Sequence, residues 1–350
     1  MIDGHGDDAY RYGGRIRTNF SSNIYYGASH HGLKAHLADR LDVMAAYPEP
    51  YPYTLGDMIA RHHGIPADSV LVTSGATDAI YLIAQAFRRN GERACYAVRR
   101  PTFSEYDDAC RMFGYVEAAF PDAKHTSCGL YGSMYGPNTM IWLCNPNNPT
   151  GEVLPTDYVM DISRHAAITV VDQSYEDYTL MPLLSPREAI DNPRMILIHS
   201  MTKTYAVPGL RLGYITAAPD IISRLRGCMR PWSVNAFAIE AGRYLLGTGK
   251  AAIPDLKGYL ADAEALRQAL DCIPGINVRP TSTGFMLAEM SRGTASGLKN
   301  YLAMHHGMLI RDCSNIRGLS QRHFRVAARS REDNTALAEA VRMYMDISDD

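Results

Sequence analysis

The sequence is short of several features that sort proteins quickly. Its 350 residues hold seven cysteines, scattered along the chain, with no C-x-x-C pair. An odd, dispersed set excludes a disulfide framework and a zinc ribbon and suits free thiols in a reducing compartment. No apolar run approaches the roughly 18–20 residues that span a bilayer. Basic charge is not in excess either. The formal net charge is −2, so neither nucleic acid nor an anionic membrane surface is an expected partner. The opening residues, Met1-Ile2-Asp3-Gly4-His5-Gly6-Asp7-Asp8, are acidic and polar. They do not read as a secretory signal, and a cytoplasmic location is expected. Internal repeats, low-complexity tracts and long charge blocks are missing as well.

Hydrophobic residues make up 46% of the chain and charged residues 21%. That is ordinary globular composition, sufficient for a sizeable core. At about 100–200 residues per domain the length suits a large domain with a smaller companion. The expected division is an N-terminal arm over 1–45, a large domain over 46–235 and a small domain over 236–350. The arm carries a short helix near 33–41. Tyr47-Pro48-Glu49-Pro50-Tyr51-Pro52 reads as a stiff extended connector, because each proline fixes its own φ and biases its predecessor away from helix.

Strands then alternate with helices. Apolar, β-branched runs at 69–73, 94–98, 140–143, 168–171, 195–199 and 214–217 read as strands. Helical spacing appears at 76–89, 104–113 and 156–165. Continuous apolar strands between amphipathic helices predict a mostly parallel sheet covered on both faces. In the last third, helices are predicted at 255–270 and near 298–305, and strands at 285–289, 309–311 and 324–328. Ser330-Arg331-Glu332-Asp333 reads as a capping box that opens a final helix.

A parallel sheet places its site at the carboxyl ends of the strands, and the suggestive segments fall there. The first strand runs into Ser74-Gly75-Ala76-Thr77. A helix starting there can bind an anion with its free N–H groups, or can be a plain strand-to-helix turn. The 140–143 strand runs into Asn145-Pro146-Asn147-Asn148-Pro149-Thr150-Gly151, a restricted loop rich in amides. The 168–171 strand ends in Asp172, with Tyr175 three residues on. The 195–199 strand leads to Ser200-Met201-Thr202-Lys203, with Arg211 downstream. A lysine beside two hydroxyls and an arginine suits a desolvated amine near a phosphate, or else a surface amine.

Together these segments resemble the fold-type I pyridoxal-5'-phosphate (PLP) enzymes of the class I/II aminotransferase family, in order and spacing over nearly the whole chain. The resemblance implies an α/β fold with a large, mostly parallel sheet and a smaller α/β C-terminal domain. It implies PLP as cofactor and a homodimer with shared active sites. Lys203 then matches the lysine that joins the cofactor and later moves the proton. Asp172 matches the carboxylate paired with the pyridinium nitrogen, which keeps the ring an electron sink. Asn148 and Tyr175 match the donors to the ring hydroxyl oxygen, and Phe103 the aromatic stacked on the ring. Gly75, Ala76, Thr77, Ser200, Thr202 and Arg211 match the phosphate cup. Tyr47 matches a tyrosine that reaches the phosphate from the partner subunit. Arg325, in Phe324-Arg325-Val326, matches the arginine that clamps the substrate carboxylate, a planar group suited to a bidentate guanidinium.

Within the family the chain resembles two groups, histidinol-phosphate aminotransferases and L-threonine-O-3-phosphate decarboxylases. The latter make the aminopropanol phosphate used in cobalamin assembly. Both take an amino substrate with a side-chain phosphate, and Arg311 matches the arginine that holds it. The N-terminal pattern favours the decarboxylases. Gly4-His5-Gly6, Tyr12-Gly13 and Asn19-Phe20-Ser21-Ser22-Asn23-Ile24 resemble their opening, and His5 and Asn23 would help enclose the substrate phosphate. Asp7 stands where that group has a second glycine, and Tyr25-Tyr26 where it has Asn-Pro. The expected activity is therefore PLP-dependent decarboxylation, with transamination as the alternative. Which bond breaks depends on which one stands perpendicular to the cofactor ring.

Ser200-x-x-Lys203 also fits a serine acyl-enzyme, but no Ser-Asp-Asn or Lys-Thr-Gly accompanies it. Gly247-Thr248-Gly249-Lys250 lacks the spacing of a phosphate loop. The pairs His30-His31, His62-His63 and His305-His306 lack metal-site spacing. No metal is expected.

Overall fold

The computed structural model describes residues 7–88, 94–120, 138–249 and 252–347. After a short arm strand, β1 (Thr18–Asn19), come β2 (Val70–Thr73), β3 (Cys95–Val98), β4 (Val116–Glu117), β5 (Thr139–Cys144), β6 (Ile168–Asp172), β7 (Met195–His199) and β8 (Gly213–Ala217). Strands β2 to β8 form one sheet in the order β2-β8-β7-β6-β5-β3-β4. All its neighbours are parallel except β8, which runs antiparallel to both β2 and β7.

Alternation along β5 builds two cores. Met140, Trp142 and Cys144 face one layer with Ile80, Ile83 and Tyr106. Ile141 and Leu143 face the other, with Val159 and Ile162 of helix Thr156–His165. Side chains two residues apart share a face of a strand, so an unbroken apolar run serves helices on both sides.

The reversed β8 decides where the site forms. Strand β7 ends at His199, and β8 starts at Gly213 and runs back beside it. Residues 200–212 are therefore confined to the carboxyl end of β7. Thr73, the last residue of β2, pairs with Gly213, so the turn at Gly75 arrives at the same end. The carboxyl ends of β5 and β6 lie alongside, with Cys144 opposite Asp172.

The second sheet holds β9 (Ile276–Val278), β10 (Phe285–Met290), β12 (Arg311–Asp312) and β13 (His323–Ala327), all antiparallel in the order β12-β13-β10-β9. Helices Leu256–Asp271 and Arg331–Ile347 pack on it through Leu266, Leu270, Leu337 and Val341. Asp255 caps the first by accepting from the Gly258 N–H. Ser330 caps the second by accepting from the Asp333 N–H at 3.1 Å.

The strand predicted at 309–311 is two strands. β11 (Met308–Leu309) pairs with β1, while β12 pairs with β13. Ile310 between them is fully buried in the core, so one apolar run serves two sheets. The helix predicted near 298–305 starts earlier, at Ala295, capped by Thr294, and gives way to a π turn over Leu302–His306. Helices Tyr53–His63, Pro219–Arg226 and Ala236–Thr248 have no counterpart among the sequence predictions. Gly247 and Thr248 belong to the last of these, and Gly249 closes it in the left-handed conformation. Among the described residues no helix is long and apolar enough to cross a membrane, and no His/Cys/Asp/Glu group could hold a metal ion.

Candidate active site

At the carboxyl ends of β5, β6 and β7 lies a cavity of about 410 Å³. Asp172 forms part of its lining from the end of β6 and is only 3% exposed. Burial pushes its carboxyl pKa up, because the charged form loses its hydration. Ser174, through its hydroxyl and its N–H, and Tyr106 work against that. The Ser174 N–H reaches Oδ1 at 2.9 Å, and the Tyr106 hydroxyl reaches Oδ2 at 2.8 Å. Tyr106 is itself fixed by stacking on Trp142, with ring centroids 5.2 Å apart.

Lys203 lies on the single helical turn Met201–Thr204 that follows β7. Its Nζ lies 5.5 Å from the centroid of the Tyr175 ring. The Tyr178 hydroxyl donates to its carbonyl at 3.2 Å and steadies the turn. Phe103 lines the cavity and meets Tyr106 edge-on.

Ala76 and Thr77, in the first turn of helix Gly75–Ala86, line the cavity together with Ser200, Thr202 and Arg211. Gly75 lies just behind them at φ +83°, and a Cβ there would stand 2.8 Å from Arg211 Nη2. Only glycine adopts this conformation cheaply and also lets the guanidinium come so near. Helix N–H groups, two hydroxyls and a guanidinium converging on one spot form an anion site.

Of the side-chain amides in the asparagine loop, the structure leaves one facing the cavity. Asn145 spends its side chain on the N–H and carbonyl of Leu154. Asn147 bonds Thr102, Thr150 and the Pro101 carbonyl. Asn148 alone of the three lines the cavity, where its Oδ1 accepts from Arg325 Nη1.

Arg325 comes from β13 in the second sheet and is 6% exposed. Its Nη2 donates to the Ser21 carbonyl, and its Nε has no partner among the described residues. Burial pulls its pKa down. Asn23 enters from the arm and donates to the Tyr175 hydroxyl at 3.1 Å, leaving its own Oδ1 unpaired.

Three expected residues do not line the cavity of the single chain. Gly75 acts from behind. Tyr47 is 86% exposed and rests against Trp232. Arg311 sits directly opposite Arg325 in the β12–β13 pair, and its guanidinium donates to the Asp312 carbonyl and to Asn315 Oδ1. His5 lies outside the described residues. Sequence reasoning passed over Tyr106, Ser174, Cys144, Ser22 and Asp7, which also line the cavity. Tyr106 carried one usable signal, a polar residue one helical turn after Phe103.

A family model described as aminotransferase class I and II matches residues 15–341. The chain belongs to this family. Among its relatives is a threonine-phosphate decarboxylase from Salmonella typhimurium (strain LT2), 30% identical over 339 residues, which cover 93% of this chain and 90% of that one. A histidinol-phosphate aminotransferase from Desulfitobacterium hafniense (strain Y51) is 28% identical over 84% of this chain and 82% of its own. Among solved structures, that of L-threonine-O-3-phosphate decarboxylase from Porphyromonas gingivalis superposes with a TM-score of 0.86 at 32% identity, covering 94% of this chain and 99% of the other.

Class I and II aminotransferases are PLP-dependent, and the residues present fit that cofactor. Asp172 is a buried carboxylate with neutral donors from Ser174 and Tyr106 and no cation in ion-pair contact among the described residues. A protonated ring nitrogen completes such a site. The glycine-backed cup beside Arg211 suits the phosphate, and Phe103 offers an apolar face to the ring.

Proposed function

We propose that this chain decarboxylates L-threonine O-3-phosphate with PLP, releasing carbon dioxide and leaving a phosphorylated amino alcohol. The observation that carries this reading is the arm. Its Asn19–Ile24 segment has the spacing that resembles the decarboxylases, and Ser21, Ser22 and Asn23 line the cavity. The 32% identity to the solved decarboxylase supports it. A second reading, transamination, draws on the histidinol-phosphate aminotransferase relatives.

When bound, PLP supplies an electron sink for the pair released as a bond to the substrate α-carbon breaks. Asp172 would hold the ring-nitrogen proton, and its bonds to Tyr106 and Ser174 keep it an acceptor. Asn148 and Tyr175 would meet the ring hydroxyl oxygen, Phe103 would cover the ring, and Gly75, Ala76, Thr77, Ser200, Thr202 and Arg211 would hold the phosphate. Lys203 would tether the cofactor through Nζ, and its amine would deliver a proton to the substrate α-carbon.

Arg325 binds the substrate carboxylate. Its contacts with Asn148 and the Ser21 carbonyl fix its aim, and aim decides whether the carboxylate stands out of the ring plane. Asn23, in the cavity lining, would recognise the substrate phosphate, and the resemblance adds Arg311 and His5 to that role. The working unit in this reading is a cytoplasmic homodimer in which Tyr47 completes the partner's cup.

A single-turnover experiment tests it. PLP-loaded protein is mixed with L-threonine O-3-phosphate, without keto acid, while the cofactor spectrum and carbon dioxide are followed. Gas release with recovery of the starting spectrum is expected. Conversion to the pyridoxamine form without gas means transamination instead.

A further inference from the structure

The arm is attached to the second sheet in an unusual way. Beyond Asn19, where the β1–β11 ladder ends, the Phe20 carbonyl accepts from the Ala327 N–H at 2.9 Å. Arginine side chains take four others. Arg325 holds the Ser21 carbonyl. Arg329, two residues past β13, donates from Nε to the Asn19 carbonyl at 2.8 Å, from Nη2 to Ser22 at 2.6 Å and from Nη1 to Ile24 at 2.9 Å. Arg329 is 5% exposed. Asn334 brackets its backbone, accepting from its N–H and donating to its carbonyl. One guanidinium thus gathers three carbonyls of a segment that has little sheet pairing of its own.

The consequence reaches the cavity. Arg329 does not line it, yet Ser22 and Ile24, whose carbonyls it grips, do, as do Ser21 and Asn23 beside them. Asn23, between Ser22 and Ile24, bonds Tyr175. Ser21, between Asn19 and Ser22, presents its carbonyl to Arg325. Guanidinium N–H bonds to buried carbonyls are charge-assisted, and losing the donor strands several acceptors at once.

We propose that Arg329 is a positioning residue for substrate binding: it sets the arm as one wall of the site, and through Ser21 it sets the aim of Arg325. The proposal deepens the decarboxylase reading and rests on it for the substrate alone. Its occupant is this chain's own arm.

Amide hydrogen exchange and kinetics on the PLP-loaded full-length Arg329→Gln protein test it. The expected result is an exchange rate about tenfold higher or more at the Ser21, Ser22 and Tyr25 amides, with β5 to β7 unchanged. PLP content stays at the wild-type level. KM for L-threonine O-3-phosphate rises about tenfold or more while kcat moves much less. Added guanidinium ion lowers KM again in the variant but not in the wild type. Arg329→Lys, which keeps charge and most of the volume, is the companion variant; it is expected to restore folding if the glutamine protein is unstable, and to show the same arm-specific exchange. Unchanged arm exchange overturns the proposal. So does loss of protection spread evenly over both sheets in both variants, which makes Arg329 merely structural. Arm loosening in a protein whose wild type does not turn over this substrate leaves the positioning role supported and overturns the substrate assignment.

Discussion

Tyr106 donates its hydroxyl proton to Asp172 at 2.8 Å, from a ring buried on every side. The bond favours the ionised carboxylate, against the burial that disfavours it. Tyr106→Phe removes the donor and lets the Asp172 pKa rise further. The acid limb of the pH–rate profile is expected to move to higher pH, with turnover near neutrality down by up to about tenfold, the worth of one hydrogen bond. PLP should bind more weakly as well. A wild-type acid limb in the variant removes this role from Tyr106.

Lys203→Ala is expected to abolish both the cofactor's visible band and turnover, since no other lysine lines the cavity among the described residues. The checks are the absorption spectrum after gel filtration and carbon dioxide release. Retained turnover sinks the proposed mechanism.

Gly75→Ala meets two obstacles, a φ of +83° and a contact with Arg211 at 2.8 Å. Strain of this kind costs on the order of 1–3 kcal/mol. Part of it is relieved by displacing the guanidinium from the anion site. PLP affinity is expected to fall about tenfold, read by titration of the apoprotein. Unaltered affinity places the phosphate elsewhere.

Arg311→Ala separates substrate classes. If Arg311 reads the side-chain phosphate, kcat/KM for L-threonine O-3-phosphate should fall roughly 10–100-fold, the scale of a charge-assisted bond. L-Threonine itself should lose little. Equal losses on both show that Arg311 does not meet the phosphate.

His63 makes acid stability measurable away from the cavity. Burial, with His199 beside it, pushes its pKa down from 6.5 to about 4. Below about pH 6.5 the unfolded chain takes up a proton that the folded chain refuses, so stability falls as pH drops from there toward 4. Above that window His63 is neutral in both states and contributes nothing. His63→Gln can still bond the Tyr214 hydroxyl, which His63 meets at 2.8 Å. Its urea midpoint should be flatter across that range. An unchanged slope assigns the acid sensitivity to other groups.

Much of the catalytic end was legible in the sequence because it is local. Asp172 and Lys203 each sit within a few residues of the end of a strand whose apolar run announces it. The helix at Tyr53–His63 was not legible, because Gly56 and its many polar residues blur the period. Nor does an asparagine-rich loop reveal that Asn145 and Asn147 serve the scaffold while Asn148 faces the cavity. That division depends on partners such as Thr102, 45 residues from Asn147. Ile310 shows the same limit, since a single run gives no sign that its two halves join different sheets. Arg329 is the extreme case, because its partners are main-chain carbonyls, which any residue carries.

The Arg329–Asn19 contact spans 310 residues of chain. During synthesis from the N-terminus, the seven-stranded sheet and the lysine-bearing turn are made before Arg325 and Arg329, which grip the arm's carbonyls. A ribosome-bound intermediate can therefore assemble the cofactor side of the pocket while its substrate side stays open. The arm's hold on the second sheet is thus the last part of the cavity wall to be completed as the chain is made.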